Sequence, residues 1–240
     1  MKQLSLVLIF AIFCQSALSQ IPQDARLREI RRDLESKVKK AELASIAIAV
    51  IKKDKTIWKE VLGWADRERK IKAHSNTIYP LASLSKSITA TGLWILAEQG
   101  KLSVNDPVEK HLRSARLTYY QGSKKELKIK HLLNMEGGIP HQYEYFYDKD
   151  QEVRPSLKEQ IGRYGFVAFP PGKVHNYSNF SMGILDQVIA DVSGRKFEEF
   201  IKEEVFKPLG MKRSFAERPE NEMVAKGYDP EGKPVSPNIF

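Results

Sequence analysis

The sequence predicts an α+β protein in which strands come early and helices dominate afterwards. Three observations carry that expectation. Residues 44–51 (ASIAIAVI) and 56–65 (TIWKEVLGWA) are strand-like runs joined by the short polar stretch KKDK. Beyond residue 84 the apolar runs have helical spacing and are bounded by Gly and Pro. Neither strand–helix alternation nor a glycine-rich phosphate loop runs through the chain, which argues against a nucleotide-binding sheet.

The start of the chain is a separate matter. MKQLSLVLIFAIFCQSALSQ joins a Lys-bearing head to an apolar run, Leu4 to Phe13, and a small-residue ending at Ala17-Leu18-Ser19. This pattern predicts an export signal over residues 1–19, too short to span a bilayer, and a periplasmic or secreted protein with no stable membrane anchor. Cys14 is the only cysteine, so a chain cleaved after Ser19 has no disulfide, no Cys-ligated zinc and no Cys nucleophile. The formal net charge is +9, but the basic residues are interleaved with acids, as in REIRRDLESKVKKAE. A solvated charged face is expected, and a nucleic-acid partner is not.

Each element has its own justification. Residues 24–43 place Leu27, Ile30, Leu34 and Val38 three and four apart among charges, an amphipathic helix. The strand that follows is apolar on both sides, with Ile46, Ile48 and Val50 on one and Ala47, Ala49 and Ile51 on the other. Such a strand is expected in the interior of a sheet, although only one partner strand is recognisable. From Leu84 to Gln99 the chain reads as a helix, apolar on most sides through Ile88, Leu93, Trp94, Leu96 and Ala97 and ended by Gly100. KLSVNDPVEKHL is a turn around Pro107, and ELKIKHLLNMEGGIP is helical or extended up to Gly137-Gly138. Residues 142–150, rich in Tyr and acid, suit a loop over a cleft. FPPGKVHNYSNFS is a loop opening a helix over about residues 180–192; a further helix near 196–205 stops at KPLGM, before a polar, turn-rich end.

The chemistry centres on Ser83-Leu84-Ser85-Lys86. Positions i and i+3 share one helix face, so hydroxyl and amine stand side by side as nucleophile and base. A Lys86 held in a dry pocket loses preference for its ammonium form and can take the Ser83 proton, while the Ser83 N–H, at the start of the helix, can stabilise an oxyanion. Ser-x-x-Lys alone is a weak signal, since Ser36 to Lys39 and Ser193 to Lys196 repeat it. What distinguishes Lys86 is its apolar company. Tyr177-Ser178-Asn179 is the only Tyr-x-Asn, on the loop opening the later helix. A phenol near an ammonium shifts to lower pKa and exchanges protons, and a carboxamide orients a lysine; the plainer roles are a packed aromatic for Tyr177 and an N-cap for Asn179. His74, His111, His131, His141 and His175 are scattered without zinc spacing, and there is no Gly-x-Ser-x-Gly elbow. His175, close to Tyr177 in sequence, reads as a surface histidine near the cleft edge.

Taken in order, ASLSK, LLNMEGGIP, FPPGKVHNYSN and VSGRKFEEFIKEEVFKPLGM resemble the serine β-lactamase and penicillin-binding-protein superfamily, in its class C β-lactamase, D-alanyl-D-alanine carboxypeptidase and esterase branch. The resemblance implies an antiparallel sheet flanked by helices plus a mostly helical subdomain, occupying residues 20–232, with 233–240 as a tail. It implies Ser83 as the acylated nucleophile, Lys86 and Tyr177 as the proton-transfer pair, and Asn179 as the residue holding Lys86 and the substrate. No cofactor or metal is implied, and the partner is a small-molecule or peptide substrate, cell-wall peptide included. The family's third motif, Lys-Thr-Gly or His-x-Gly on a strand lining the site, does not occur in the sequence. The expectation is therefore an exported serine hydrolase of amide or ester bonds whose C-terminal sheet strands are missing, with a non-catalytic binding or sensing module, or a fragment of such a hydrolase, as the alternative.

Overall fold

A computed structural model of the chain describes residues 22–141 and 155–235, so the expected signal at 1–19 and the loop at 142–150 lie outside the described residues. Those described fall into two compact units, 22–79 with 221–235 and 80–220. Among them, no helix is long and apolar enough to cross a membrane.

The first unit opens with α1 (Ala25–Lys39), followed by β1 (Ser45–Lys52), β2 (Lys55–Asp66) and β3 (Ile71–Lys72). The β1–β2 hairpin is antiparallel, with Ile48 opposite Glu60 and Val50 opposite Trp58. Its polar turn closes because Lys53 and Asp54 both take left-handed φ, 48° and 61°, the two-residue geometry whose twist matches the flanking strands. Two expectations are corrected here. The strand order is β1-β2-β3, so β1 is an edge of this sheet among the described residues rather than an interior strand. The central place goes to β2, long enough at 12 residues to pair with β1 and then, through Trp64 and Asp66, with β3. A third strand does exist, but its two residues are too few to show any alternation in the sequence. On β1 the Ile46, Ile48 and Val50 side is half-buried, whereas Ile51 on the other is 66% exposed.

Helix α1 buries no residue completely and docks largely through charge. Glu60 on β2 is 5% exposed, and it accepts Arg31 Nε–H and Nη2–H at 2.7 Å each and Trp58 Nε1–H at 3.0 Å. A buried carboxylate without such partners would be strongly destabilising. The described C-terminal residues return to this unit. Ile78 bridges Val224 in parallel, Lys226 Nζ pairs with Asp66 at 2.9 Å and Glu68 at 3.2 Å, and Gly227–Tyr228 pairs with Pro234–Val235 in the segment expected as a turn-rich end.

The second unit is mostly helical. It contains α2 (Ser85–Glu98), α3 (Val108–His111), β4 (Thr118–Tyr119), α4 (Ile129–Leu133), α5 (Leu157–Tyr164), β5 (Phe166–Val167), α6 (Asn179–Ser193) and α7 (Phe197–Ile201), which runs on into a π-helical turn at Lys202–Phe206. Leu93 and Leu96 of α2, Leu185 and Ile189 of α6, and Phe200 and Ile201 of α7 have no exposed surface and form the centre of its core. Gly92 lets these helices close up: a Cβ there would lie 2.9 Å from Ile201 Cδ1 and 3.3 Å from Ile189 Cδ1. α2 is buried along one stripe, not on most sides as its apolar composition implied. Thr89, Gly92, Leu93 and Leu96 make the buried stripe, and Trp94, one helical step of about 100° beyond Leu93, is 52% exposed. Within this seam the Thr89 hydroxyl donates to Asp186 Oδ1 at 2.9 Å. Asp186 keeps part of its surface exposed, yet burial of the carboxyl pushes its pKa up to about 8.

Candidate active site

Ser83 sits in a 3₁₀ turn, Ala82–Leu84, that leads directly into α2. The turn is held by the small hydroxyl residues around it. Ser85 Oγ–H donates to the Ala82 carbonyl and Ser87 Oγ–H to the Leu84 carbonyl, each at 2.7 Å. Ala82 has φ 47°, a left-handed conformation that costs an L-residue about 1–2 kcal/mol. Strain of this kind gathers where a side chain must be presented in one direction, and here the residue presented is the exposed Ser83.

One turn on, Lys86 Nζ donates to Ser83 Oγ at 3.1 Å and to Asn179 Oδ1 at 2.7 Å. The Tyr177 hydroxyl lies 2.7 Å from Ser83 Oγ, with either oxygen able to donate, and Lys86 Nζ stands 4.8 Å from the centre of the Tyr177 ring. The structure thus brings Ser83, Lys86, Tyr177 and Asn179 into one hydrogen-bonded group. Hydrogen bonding from Lys86, and secondarily from Ser83, lowers the Tyr177 phenol below its ordinary value of 10.0. In one respect the environment differs from expectation: Lys86 is half-buried, not dry. Directed hydrogen bonds and the phenol ring, rather than desolvation, define its place.

Tyr177 is delivered by a loop that has no regular structure of its own, and Asn179 by the first position of α6, which that loop opens. The loop is laced to residues 135–141. Asn176 N–H donates to the Met135 carbonyl at 2.7 Å, Asn176 Nδ2–H to the Ile139 carbonyl at 3.1 Å and Ser178 Oγ–H to the Pro140 carbonyl at 2.6 Å. Gly138 makes the close approach feasible: its φ is 69°, its carbonyl accepts from Ala168 N–H at 2.8 Å, and a Cβ would run into the Phe169 carbonyl. The N-cap of α6 is Ser178, whose Oγ accepts from Ser181 N–H at 2.9 Å. Asn179 is therefore relieved of that plainer role, and its side chain turns to Lys86.

Sequence reasoning missed one neighbour of this group. His141 Nδ1–H donates to the Tyr177 carbonyl at 2.7 Å, and its ring lies 5.3 Å from the phenol at 38°. Its only signal in the sequence is a place just after Gly137-Gly138-Ile139-Pro140, the partner of the loop. His175, expected near the cleft edge, is exposed. Among the described residues no three His, Cys, Asp or Glu side chains are grouped to hold a metal.

The arrangement places a hydroxyl within hydrogen-bonding reach of an amine and an acidified phenol, groups that can activate a serine as a nucleophile. Known proteins resemble this chain over most of its length. Residues 30–239 match the profile of the Beta-lactamase family. A beta-lactamase of Pseudomonas fluorescens is 30% identical over 219 residues, covering 86% of this chain and 57% of that protein. Protein flp of Staphylococcus aureus (strain N315) is 26% identical over 210 residues, covering 85% of this chain and 42% of its own length. Among solved structures, the octameric penicillin-binding protein homologue from Pyrococcus abyssi superposes with a TM-score of 0.71 at 27% identity, covering 88% of this chain and 50% of that one. The chain thus spans about half the length of these relatives. With the profile matching most of the chain and the relatives agreeing, the protein belongs to the Beta-lactamase family, within the serine β-lactamase and penicillin-binding-protein superfamily.

Proposed function

We propose that this protein is an exported serine hydrolase that forms an acyl-enzyme on Ser83 from an amide or ester carbonyl and releases it with water. The observation that supports this most is the contact of Ser83 Oγ with the Tyr177 hydroxyl at 2.7 Å and with Lys86 Nζ at 3.1 Å. As Oγ attacks the carbonyl carbon, its proton passes to the phenolate form of Tyr177, the form that hydrogen bonding from Lys86 favours. The carbonyl π-pair moves onto oxygen, and the Ser83 N–H ahead of α2 is a donor for that oxyanion. Collapse expels the amine or alkoxide, which takes the proton from Tyr177, leaving the ester on Ser83. Water, deprotonated by the same phenolate, then attacks that ester, and the Ser83 oxygen recovers the proton. Asn179 Oδ1 holds Lys86 throughout.

The relatives are in keeping with a β-lactam substrate, the family resemblance of the sequence adds D-Ala peptides and esters, and the 1–19 segment supports export to the periplasm or outside the cell. Treatment with fluorescent penicillin or a fluorophosphonate, followed by intact-protein mass spectrometry, tests the reading. A covalent adduct in the parent, lost in Ser83→Ala, is the expected result. An adduct that survives Ser83→Ala refutes the nucleophile. A second reading is a binding module without turnover. It predicts ligand-induced thermal stabilisation with no mass shift.

A further inference from the structure

We infer that His141 is a positioning residue of this site, clamping Tyr177 and Asn179 so that the phenol and carboxamide meet Ser83 and Lys86. Three successive residues of the Tyr-Ser-Asn segment are each tied to residues 140 and 141, and two of the three ties are made by His141. Its imidazole Nδ1–H donates to the Tyr177 carbonyl at 2.7 Å, and its own carbonyl accepts from Asn179 N–H at 2.9 Å. Ser178 between them donates to Pro140.

The chemistry of each tie is specific. A carbonyl can only accept, so Nδ1 must carry the proton in this contact. Asn179 opens α6, where the first N–H groups have no partner within the helix, and the His141 carbonyl supplies one. The tilted ring contact then restricts the phenol itself, 5.3 Å from centre to centre. Tyr177 is 39% exposed and lacks a full shell of core neighbours, so this small set of contacts sets its direction. His141 is also exposed, and its substitution empties no core volume. Its effect should therefore fall on the site and not on the fold.

Two variants separate the parts. His141→Ala keeps the main-chain tie to Asn179 and removes both side-chain contacts. His141→Asn restores an N–H donor attached at the same Cγ position as Nδ1. The first readout is the second-order rate of Ser83 labelling by the fluorophosphonate. This readout rests on the acyl-enzyme reading. The second does not: it is the titration of Tyr177 in protein labelled with [¹³Cζ]-tyrosine, the signal identified by its loss in Tyr177→Phe. With the clamp removed, the phenol drifts from the lysine and serine that acidify it.

His141→Ala should label about fivefold to tenfold more slowly, the effect of losing one hydrogen bond, and its Tyr177 titration should move up towards that of a free phenol. His141→Asn should recover labelling to within about twofold of the parent. The melting temperature should change little in either. If His141→Ala labels and titrates like the parent, or if His141→Asn behaves like the alanine variant, the clamp is refuted. If the parent itself is never labelled, the acyl-enzyme reading falls while the titration still decides the clamp: a midpoint raised in His141→Ala supports it, an unmoved one overturns it.

Discussion

Ser83-Leu84-Ser85-Lys86 and Ser193-Gly194-Arg195-Lys196 have the same serine–lysine spacing and opposite fates. The first opens α2, where the helical turn keeps residues 83 and 86 on one face and the hydroxyl meets Lys86 and Tyr177. The second straddles the end of α6. There Gly194 turns the chain out of the helix, the Ser193 hydroxyl accepts from Arg195 N–H at 3.2 Å and donates to the Ala190 carbonyl at 3.4 Å, and Lys196 is exposed. What each hydroxyl meets is the difference. Ser193 Oγ is taken up by the main chain at the end of its own helix, whereas Ser83 Oγ is met by the side chains of Lys86 and Tyr177.

The comparison is sharpened most by the paired serine variants. Ser83→Ala should abolish the covalent adduct in the mass spectrum, and Ser193→Ala should leave its yield unchanged. Next come the partners of Ser83. Tyr177→Phe and Lys86→Met should each slow labelling by about 10²–10⁴-fold, the usual contribution of a general acid or base, while Lys196→Met has no effect. Asn179→Ala removes an acceptor from an ammonium, a bond worth about 1.5–3 kcal/mol, so stopped-flow labelling should slow by roughly ten- to a hundredfold.

Gly138→Ala tests whether the loop matters without touching the four residues. Its φ of 69° and the Phe169 carbonyl both oppose a side chain, so unfolding in urea should show a loss of about 1–2 kcal/mol or more, accompanied by slower labelling. Apart from labelling altogether stands the pH response of the seam beneath the site. The folded chain holds Asp186 protonated up to about pH 8, whereas the unfolded carboxyl releases its proton near 3.8. The stabilisation from this group is thus full below the lower value and is lost as pH rises through the upper one. Asp186→Asn should flatten that decline in melting temperature across the window, and a parent-like slope in the variant would assign the decline to other groups.

Much of this was legible beforehand because it is local. KKDK is short and polar between two apolar runs, and a hairpin turn is the cheapest way to join them. The run from Leu84 to Gln99 is helical by spacing, and Tyr177-Ser178-Asn179 stands where a Pro/Gly loop becomes a helix. Other features were not legible. The edge place of β1 among the described residues depends on which strands pair on its two sides, and a both-faces-apolar pattern does not specify that. The half-burial of Lys86 depends on what covers it, which residues 83–93 cannot show. His141 is a single exposed histidine in the sequence, and it becomes notable only once the loop bearing Tyr177 lies against it.

By itself the sequence determined that Ser83 and Lys86 share a face one turn apart, because helix geometry repeats consecutive backbone angles and needs no distant partner. It also determined which loop carries the phenol and the carboxamide. Tertiary structure alone decided that Tyr177, 94 residues from Ser83, and Asn179, 93 from Lys86, arrive within hydrogen-bonding distance. That meeting follows from packing α2 on α6 around Gly92 and from lacing the Tyr177 loop to residues 135–141. The contacts responsible join segments far apart in the chain, and no local periodicity encodes them.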